Sequence, residues 1–263
     1  MTAYSLSVQE KQFFAEEGYL VLKGMYSPEE VNALKEEYHK AWLDCILDKK
    51  IVQDPEKPLT SLFPRMKDLH KDHALVREFV FKEKAVAALE ELAGEEALLV
   101  STNFYFKPPG STGMPFHQDN YGIGVLPGTC YAIWVGLDPA DVSNGGMRIV
   151  RKTHTQDLQV PEKVYTTAED TFGGYVQTLA VPEEHELIEL RTDPGDVVIY
   201  HGNLIHDSAD NVSEVLFRHS IISHFAGTSA EKTTLNFNYL MDKEGRRVRR
   251  RMNAGANLGR KGE

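Results

Sequence analysis

His117 and Asp119 stand two positions apart in "GMPFHQDN", residues 113–120, just after a run that reads as a β-strand. On extended backbone, residues i and i+2 point to one face, which is what two ligands of one ion need. The same spacing recurs at His70 and Asp72 in "KDLHKDHALV". There the run is charged, with apolar residues at helical spacing, and on a helix an i, i+2 pair points to different sides. His117 and Asp119 are therefore the candidate ligands, and His70 with Asp72 reads as a solvated helix surface. Two histidines and one carboxylate leave three positions of an octahedral iron open, so that a cosubstrate and oxygen can be held together, as in non-haem Fe(II) oxygenases. The further histidine has to come from downstream. The candidates are His201 and His206 in "DPGDVVIYHGNLIHDSADN", with His219 and His224 on the following strand. His206 falls where a buried strand gives way to the polar turn "HDSADN", a place from which a ligand can project into a barrel mouth. His201 reads as a core histidine, and His154 and His224 as structural ones.

Arg218 opens the strand "RHSIISHF", and no acidic residue of that strand can pair with it. A fixed carboxylate is the best match for the planar fork of a buried guanidinium. A dicarboxylate cosubstrate with one end on the metal and the other on Arg218 would satisfy it, with Ser208 adding a hydroxyl donor. Lys107 in "FKPPG" reads as a surface lysine at a strand end, and Asn144-Gly145-Gly146 as a tight turn whose glycines supply positive φ.

Lys and Arg number 29 against 39 Asp and Glu, a formal net charge of −10, which argues against nucleic acid as the main partner and for a small-molecule substrate. No run approaches the ~18 apolar residues of a membrane span, and the start lacks a basic segment followed by an apolar one, so no membrane and a cytoplasmic location are expected. Only Cys45 and Cys130 are present, which leaves His, Asp and Glu to hold any metal.

The elements that must position these residues come in two blocks. Ser7 with Glu10 and Ser27 with Glu30 read as capping boxes, the first opening a helix that Gly18 closes and the second a longer helix with Val31, Leu34, Tyr38 and Trp42 on one face. "YLVLKG" lies between them as a strand, and two more helices are expected near 73–82 and 83–94. From about residue 96, short β-rich runs bounded by turn residues take over: "ALLVSTNFYFK", "CYAIWVGL", "MRIV", "HELIELR", "DVVIYHG" and "FRHSIISHF". Without intervening helices these suggest a sandwich or jelly roll with helices on one side. One domain is expected over 1–263: a largely helical part over 1–95, a β core over 96–240 and a basic segment over 241–263, whose "DKEGRRVRRRM" reads as solvated or frayed.

Taken together, "FFAEEGYLVLKGMYSPEEVNAL", "KPPGSTGMPFHQD", "NGGMRIVRKTH" and "LIHDSADNVSEVLFRHSIISHF" resemble the phytanoyl-CoA dioxygenase-like family of Fe(II)- and 2-oxoglutarate-dependent oxygenases. The resemblance covers most of the chain and implies a mainly β fold with flanking helices, a double-stranded β-helix of the cupin-like jelly-roll type. It places the metal ligands on His117, Asp119 and His206. It implies Arg218 and Ser208 for the distal carboxylate of 2-oxoglutarate and Trp134 lining the site, with Asn103 and Arg65 at the remaining cosubstrate positions. Fe(II), 2-oxoglutarate and O2 are the implied cofactors, and hydroxylation of an unactivated C–H the implied reaction. The turn "VRKTH" departs from the family's usual Pro-Gly-Ser-His. A different class of function would use the same triad without 2-oxoglutarate, as a cupin-type isomerase or a non-catalytic ligand-binding barrel; Arg218 distinguishes the two.

Overall fold

A computed structural model of the chain describes residues 4–161, 163–166 and 175–255. The helices are α1 (Val8–Glu17), α2 (Pro28–Leu47), α3 (Pro58–Leu62), α4 (Ala74–Val80), α5 (Glu83–Ala93) and α6 (Asp119–Ile123). Both capping boxes form: Ser7 and Ser27 each accept from the backbone three residues on, and Glu10 and Glu30 accept from the capping backbones. Gly18 ends α1 at φ 82°, in the left-handed region that favours glycine.

The strands are β1 (Tyr19–Leu22), β2 (Met66–Lys67), β3 (Ala97–Tyr105), β4 (Cys130–Gly136), β5 (Met147–Val150), β6 (Lys163–Thr166), β7 (Tyr175–Thr178), β8 (Leu187–Glu189), β9 (Val197–His201), β10 (His206–Ser208), β11 (Ser220–Gly227), β12 (Lys232–Thr233), β13 (Tyr239–Met241), β14 (Arg247–Arg249) and β15 (Arg251–Met252). The large sheet runs β1-β9-β4-β11-β3-β13-β14, with β2 paired to β3; a smaller sheet runs β10-β5-β8. Every pairing in these two sheets is antiparallel.

Alternation along the central strands divides the core. Ile133, Val135, Val197, Ile199, Ile221 and Phe225 pack with Val31, Leu34, Tyr38, Val76, Val86 and Leu89 of the helices. Their strand neighbours Ala132, Trp134, Val198, Tyr200 and Ile222 pack instead with Met147 and Ile149 of the small sheet. The two sheets thus face each other as a jelly roll, with helices covering the outer face of the large one. On β3, His224 pairs with Ser101 but Phe225 pairs with Leu99, so Val100 bulges out of the ladder. One extra residue shifts the alternation. Leu99 faces the helices on one side of the bulge and Phe104 does so on the other, and Ser101 and Asn103 are free to line the cleft between the sheets.

Two expectations change here. The basic segment is not frayed where the structure describes it: β13 and β14 pair, and Arg247 and Arg249 lie over the Tyr239 ring at 4.3 and 5.8 Å. Residues 256–263 of that segment lie outside the described residues. Nor is His70 on a solvated helix: it sits in a short 3-10 turn, 2% exposed, with Nδ1 2.9 Å from Thr102 Oγ1 under the sheet. Asp72 is exposed. Among the described residues no helix is long and apolar enough to cross a membrane.

Candidate active site

A cleft of about 1350 Å³ opens between the sheets, lined at its inner end by His117, Asp119 and His206. The main chains of His117 and His206 exchange both hydrogen bonds, at 2.9 and 3.1 Å, so the loop carrying one ligand is tied to the strand carrying the other. Gln118 keeps extended backbone, φ −121° and ψ 121°, between His117 and Asp119. Its side chain is buried the other way, donating to Asn203 O and accepting from Gln159 N. Asp119 opens α6, which is anchored where Asn120 N donates to Gly202 O at 2.9 Å. His206 corrects an expectation: it begins β10 and not a turn. Along β10, His206 and Ser208 face the cleft while Asp207 pairs with Arg148 Nε at 2.9 Å.

One ligand atom from each of His117, Asp119 and His206 can be chosen so that all lie within 4.8 Å of one another. His117 Nδ1 lies 2.8 Å from Pro115 O, and His206 Nδ1 3.0 Å from Leu204 O. A carbonyl can only accept, so each Nδ1 carries the proton and each Nε2 presents its lone pair, the tautomer a metal needs. The two Nε2 atoms lie 3.4 and 3.7 Å from Oδ1 and Oδ2 of Asp119. Oδ2 itself is buried with no aligned donor, although His224 Nε2 is 3.0 Å away. Burial opposes the charge on Asp119, but His224, His206 and His117 outweigh it and hold the carboxyl well below its ordinary range. Burial and the neighbouring His117 push His206 down to about 4, so it is neutral at pH 7. A carboxylate with a buried, unsatisfied oxygen and two imidazole Nε2 atoms turned toward it fits a divalent cation, which would take the place of the proton that Asp119 otherwise favours on His117.

At the other end Arg218, 3% exposed, donates to Gly145 O at 2.7 Å and to the Ser220 hydroxyl. Its Nε has no partner, and among the described residues no carboxylate pairs with it. Burial lowers its pKa to about 10, still far above neutrality, so the guanidinium is charged. Its Cζ lies 5.9 Å from the Trp134 ring, and Trp134, Ile222 and Asn103 share one row across β4, β11 and β3. Ser208, Asn103 and Arg65 also line this cleft.

The remaining histidines fall elsewhere. His201 ends β9, its Nδ1 accepting from Asn203 N at 3.2 Å; His219 pairs with Asp138 at 2.5 Å, which Lys35 of α2 also holds. His154 Nε2 lies 3.1 Å from Ala15 O. His224, read from sequence as structural, instead abuts Asp119, as β11's alternation could have suggested once its register was known. Lys107 is not a surface lysine: it is 9% exposed and donates to Ser208 Oγ at 3.0 Å. In the glycine turn only Gly145 has positive φ, 89°; a Cβ on Gly146 would meet Asp141 backbone at 2.6 Å, so close approach selects that glycine.

Comparison with known proteins agrees with this geometry. A bovine (Bos taurus) protein named "Phytanoyl-CoA dioxygenase, peroxisomal" is 25% identical over 235 residues, covering 84% of this chain and 68% of its own. Among solved structures, the non-heme alpha ketoglutarate dependent carbocyclase SnoK from nogalamycin biosynthesis superposes with a TM-score of 0.67 at 20% identity, covering 88% of each chain. EctD from S. alaskensis, solved with 2-oxoglutarate and 5-hydroxyectoine, gives 0.66 at 18% identity, covering 88% of this chain and 79% of its own. These structural likenesses establish the fold. The sequence model of the family described as phytanoyl-CoA dioxygenase (PhyH) matches residues 14–220, a span that takes in both tied ligand segments and the arginine facing them, and the chain belongs to that family.

Proposed function

We propose that the protein is an Fe(II)- and 2-oxoglutarate-dependent dioxygenase that hydroxylates an unactivated C–H bond of a small molecule, releasing succinate and CO2. The observation that carries this reading is the pairing, in one cleft, of a His-Asp-His cluster, His206 buried and His117 and Asp119 partly so, with a charged arginine that no carboxylate among the described residues pairs with. His117, Asp119 and His206 would hold the metal through two imidazole Nε2 atoms and one carboxylate. Fe(II), when bound, supplies the oxidation, drawing on O2 and on the decarboxylation of 2-oxoglutarate. Arg218 and Ser208 hold the distal carboxylate, and Trp134, Asn103 and Arg65 flank the cosubstrate. His224 abuts the Asp119 carboxylate at 3.0 Å, and the sheets enclose the inner end. A halogenase of this type frees a metal position by having a small residue in place of the carboxylate; Asp119 therefore favours hydroxylation, or a desaturation or ring closure by the same oxidant, over halogenation. In this reading residues 1–263 act as one domain, the helices backing the sheet whose other face bears the site. A cupin-type isomerase would have no use for Arg218.

The test is succinate release from 2-oxoglutarate, with Fe(II) and O2, across a panel of small metabolites. The expected result is release stimulated by at least one compound and accompanied by a product heavier by one oxygen. Metal binding without any 2-oxoglutarate binding would favour the isomerase or ligand-binding reading.

A further inference from the structure

Lys107 is the most deeply buried lysine of the cleft, and among the described residues no carboxylate lies within ion-pair distance of it. Its backbone is held at φ 31°, a region that side-chain-bearing residues seldom adopt, and its peptide is pinned on both sides: its carbonyl accepts from Arg218 N at 3.2 Å and from Asn211 Nδ2 at 2.9 Å. The side chain passes so close to Gly145 that a Cβ there would lie 2.3 Å from Lys107 Cε. The same Gly145 offers its carbonyl to Arg218 Nη2. Two buried cations therefore converge on one glycine, and among the described residues neither has a carboxylate within ion-pair distance. Asp207 is taken by Arg148, and Asp210 by Gly113 N.

Ser208 ties Lys107 to this corner. Its hydroxyl accepts twice, from Lys107 Nζ at 3.0 Å and from Met114 N at 3.0 Å. A serine hydroxyl has two lone pairs and one proton. With both lone pairs occupied, the proton is left to donate, and its acceptor has to come from the cleft. The corner thus presents an oriented O–H, a guanidinium and an ammonium, all donors, which suits one carboxylate and suits no neutral group as well.

Resting on the proposed cosubstrate reading, we infer that Lys107 is a second cationic contact for the distal carboxylate of 2-oxoglutarate, beside Arg218, and that it fixes Ser208 as the donor between them. Burial, with Arg218 beside it, pushes the lysine down to about 7. A bound carboxylate raises that value, so above pH 7 binding would draw in a proton. The charged groups bearing on Lys107 are Arg218, Asp210, Asp207 and Arg148.

The experiment is anaerobic calorimetry on the Fe(II)-loaded protein with two probes, 2-oxoglutarate and 2-oxobutyrate, which lacks the distal carboxylate. Lys107→Met is expected to weaken 2-oxoglutarate roughly 30-fold or more while leaving 2-oxobutyrate within about twofold. Equal losses for both probes, or no loss for either, would overturn the inference. Should that variant not fold, the unaltered protein at pH 8 gives the answer, in two buffers of different ionisation enthalpy. Uptake of up to one proton with 2-oxoglutarate and none with 2-oxobutyrate supports Lys107; equal uptake overturns it. If the parent binds neither probe while Fe(II) is bound, the cosubstrate reading itself has failed. If Arg218→Met weakens 2-oxoglutarate and Lys107→Met does not, that reading stands and only Lys107 is excluded.

Discussion

Asp119 concentrates the chemistry of this protein in one side chain, a buried carboxylate facing three imidazoles. Asp119→Ala should weaken Fe(II) binding by roughly the 10–100-fold or more that loss of even an outer contact costs, whereas Asp72→Ala should leave it unchanged; an iron titration of both variants checks this. His206→Ala should lose iron and turnover, and His201→Ala should keep the metal, because His201 bonds its own turn and faces away from Asp119. The reverse pattern would identify His201 as the ligand. Arg218→Met should raise the apparent 2-oxoglutarate constant roughly 30-fold or more with iron affinity unchanged, and Arg218→Lys, keeping charge without the fork, should fall between. His70 gives a pH test of stability. Burial pushes it down from 6.5 to about 4, so below pH 6.5 the unfolded chain takes up a proton that the folded one refuses. Stability present at pH 7 should therefore fall between pH 6.5 and 4, by up to about 1.4 kcal/mol per unit. His70→Gln should flatten that fall in urea midpoints of metal-free protein, and parallel falls in both proteins would contradict it. The spacing of His117 and Asp119, shared with His70 and Asp72, is decided by its extended context, while His224 reads from sequence as structural and Lys107 as a surface lysine. A lysine before two prolines looks like surface, and only the approach to Gly145 buries it; the contact of His224 depends on a register that no local pattern encodes.

At the scale of elements, the long strands were legible because β-branched and aromatic runs ended at glycines, prolines and acids, and both capping boxes named their helices. β10 was not. Three polar residues, His206, Asp207 and Ser208, resemble a turn until β5 lies beside them and their alternation acquires two faces. The bulge at Val100 was equally hidden, since it exists only relative to β11. Gly113 shows how tightly β10 is held: a Cβ there would lie 1.9 Å from Ser208 O. Gly113→Ala should therefore displace the loop, lowering stability by about 1–3 kcal/mol and weakening 2-oxoglutarate together with it. Thermal melts and calorimetry would show both effects, and an unchanged 2-oxoglutarate constant would mean that Ser208 is not positioned through this contact.

The whole molecule is an acidic chain, net −10, that gathers Arg218 and Lys107 at one end of its cleft and a carboxylate with imidazoles at the other. Helices on the outer face leave the inner face of the large sheet to the site, so fold and chemistry are divided across the same strands. That division was legible as helices first and strands after, but not which face of each strand met which layer. The most direct test of the central claim uses both ends of the cleft at once: anaerobic titration of the Fe(II)-loaded protein with 2-oxoglutarate, watching for the weak visible metal-to-ligand charge-transfer band. The band should rise and saturate in the parent, need far more 2-oxoglutarate in Arg218→Met, and be missing in His206→Ala. No band in the parent at saturating 2-oxoglutarate, with iron bound, would contradict the assignment of this cleft to an oxygenase.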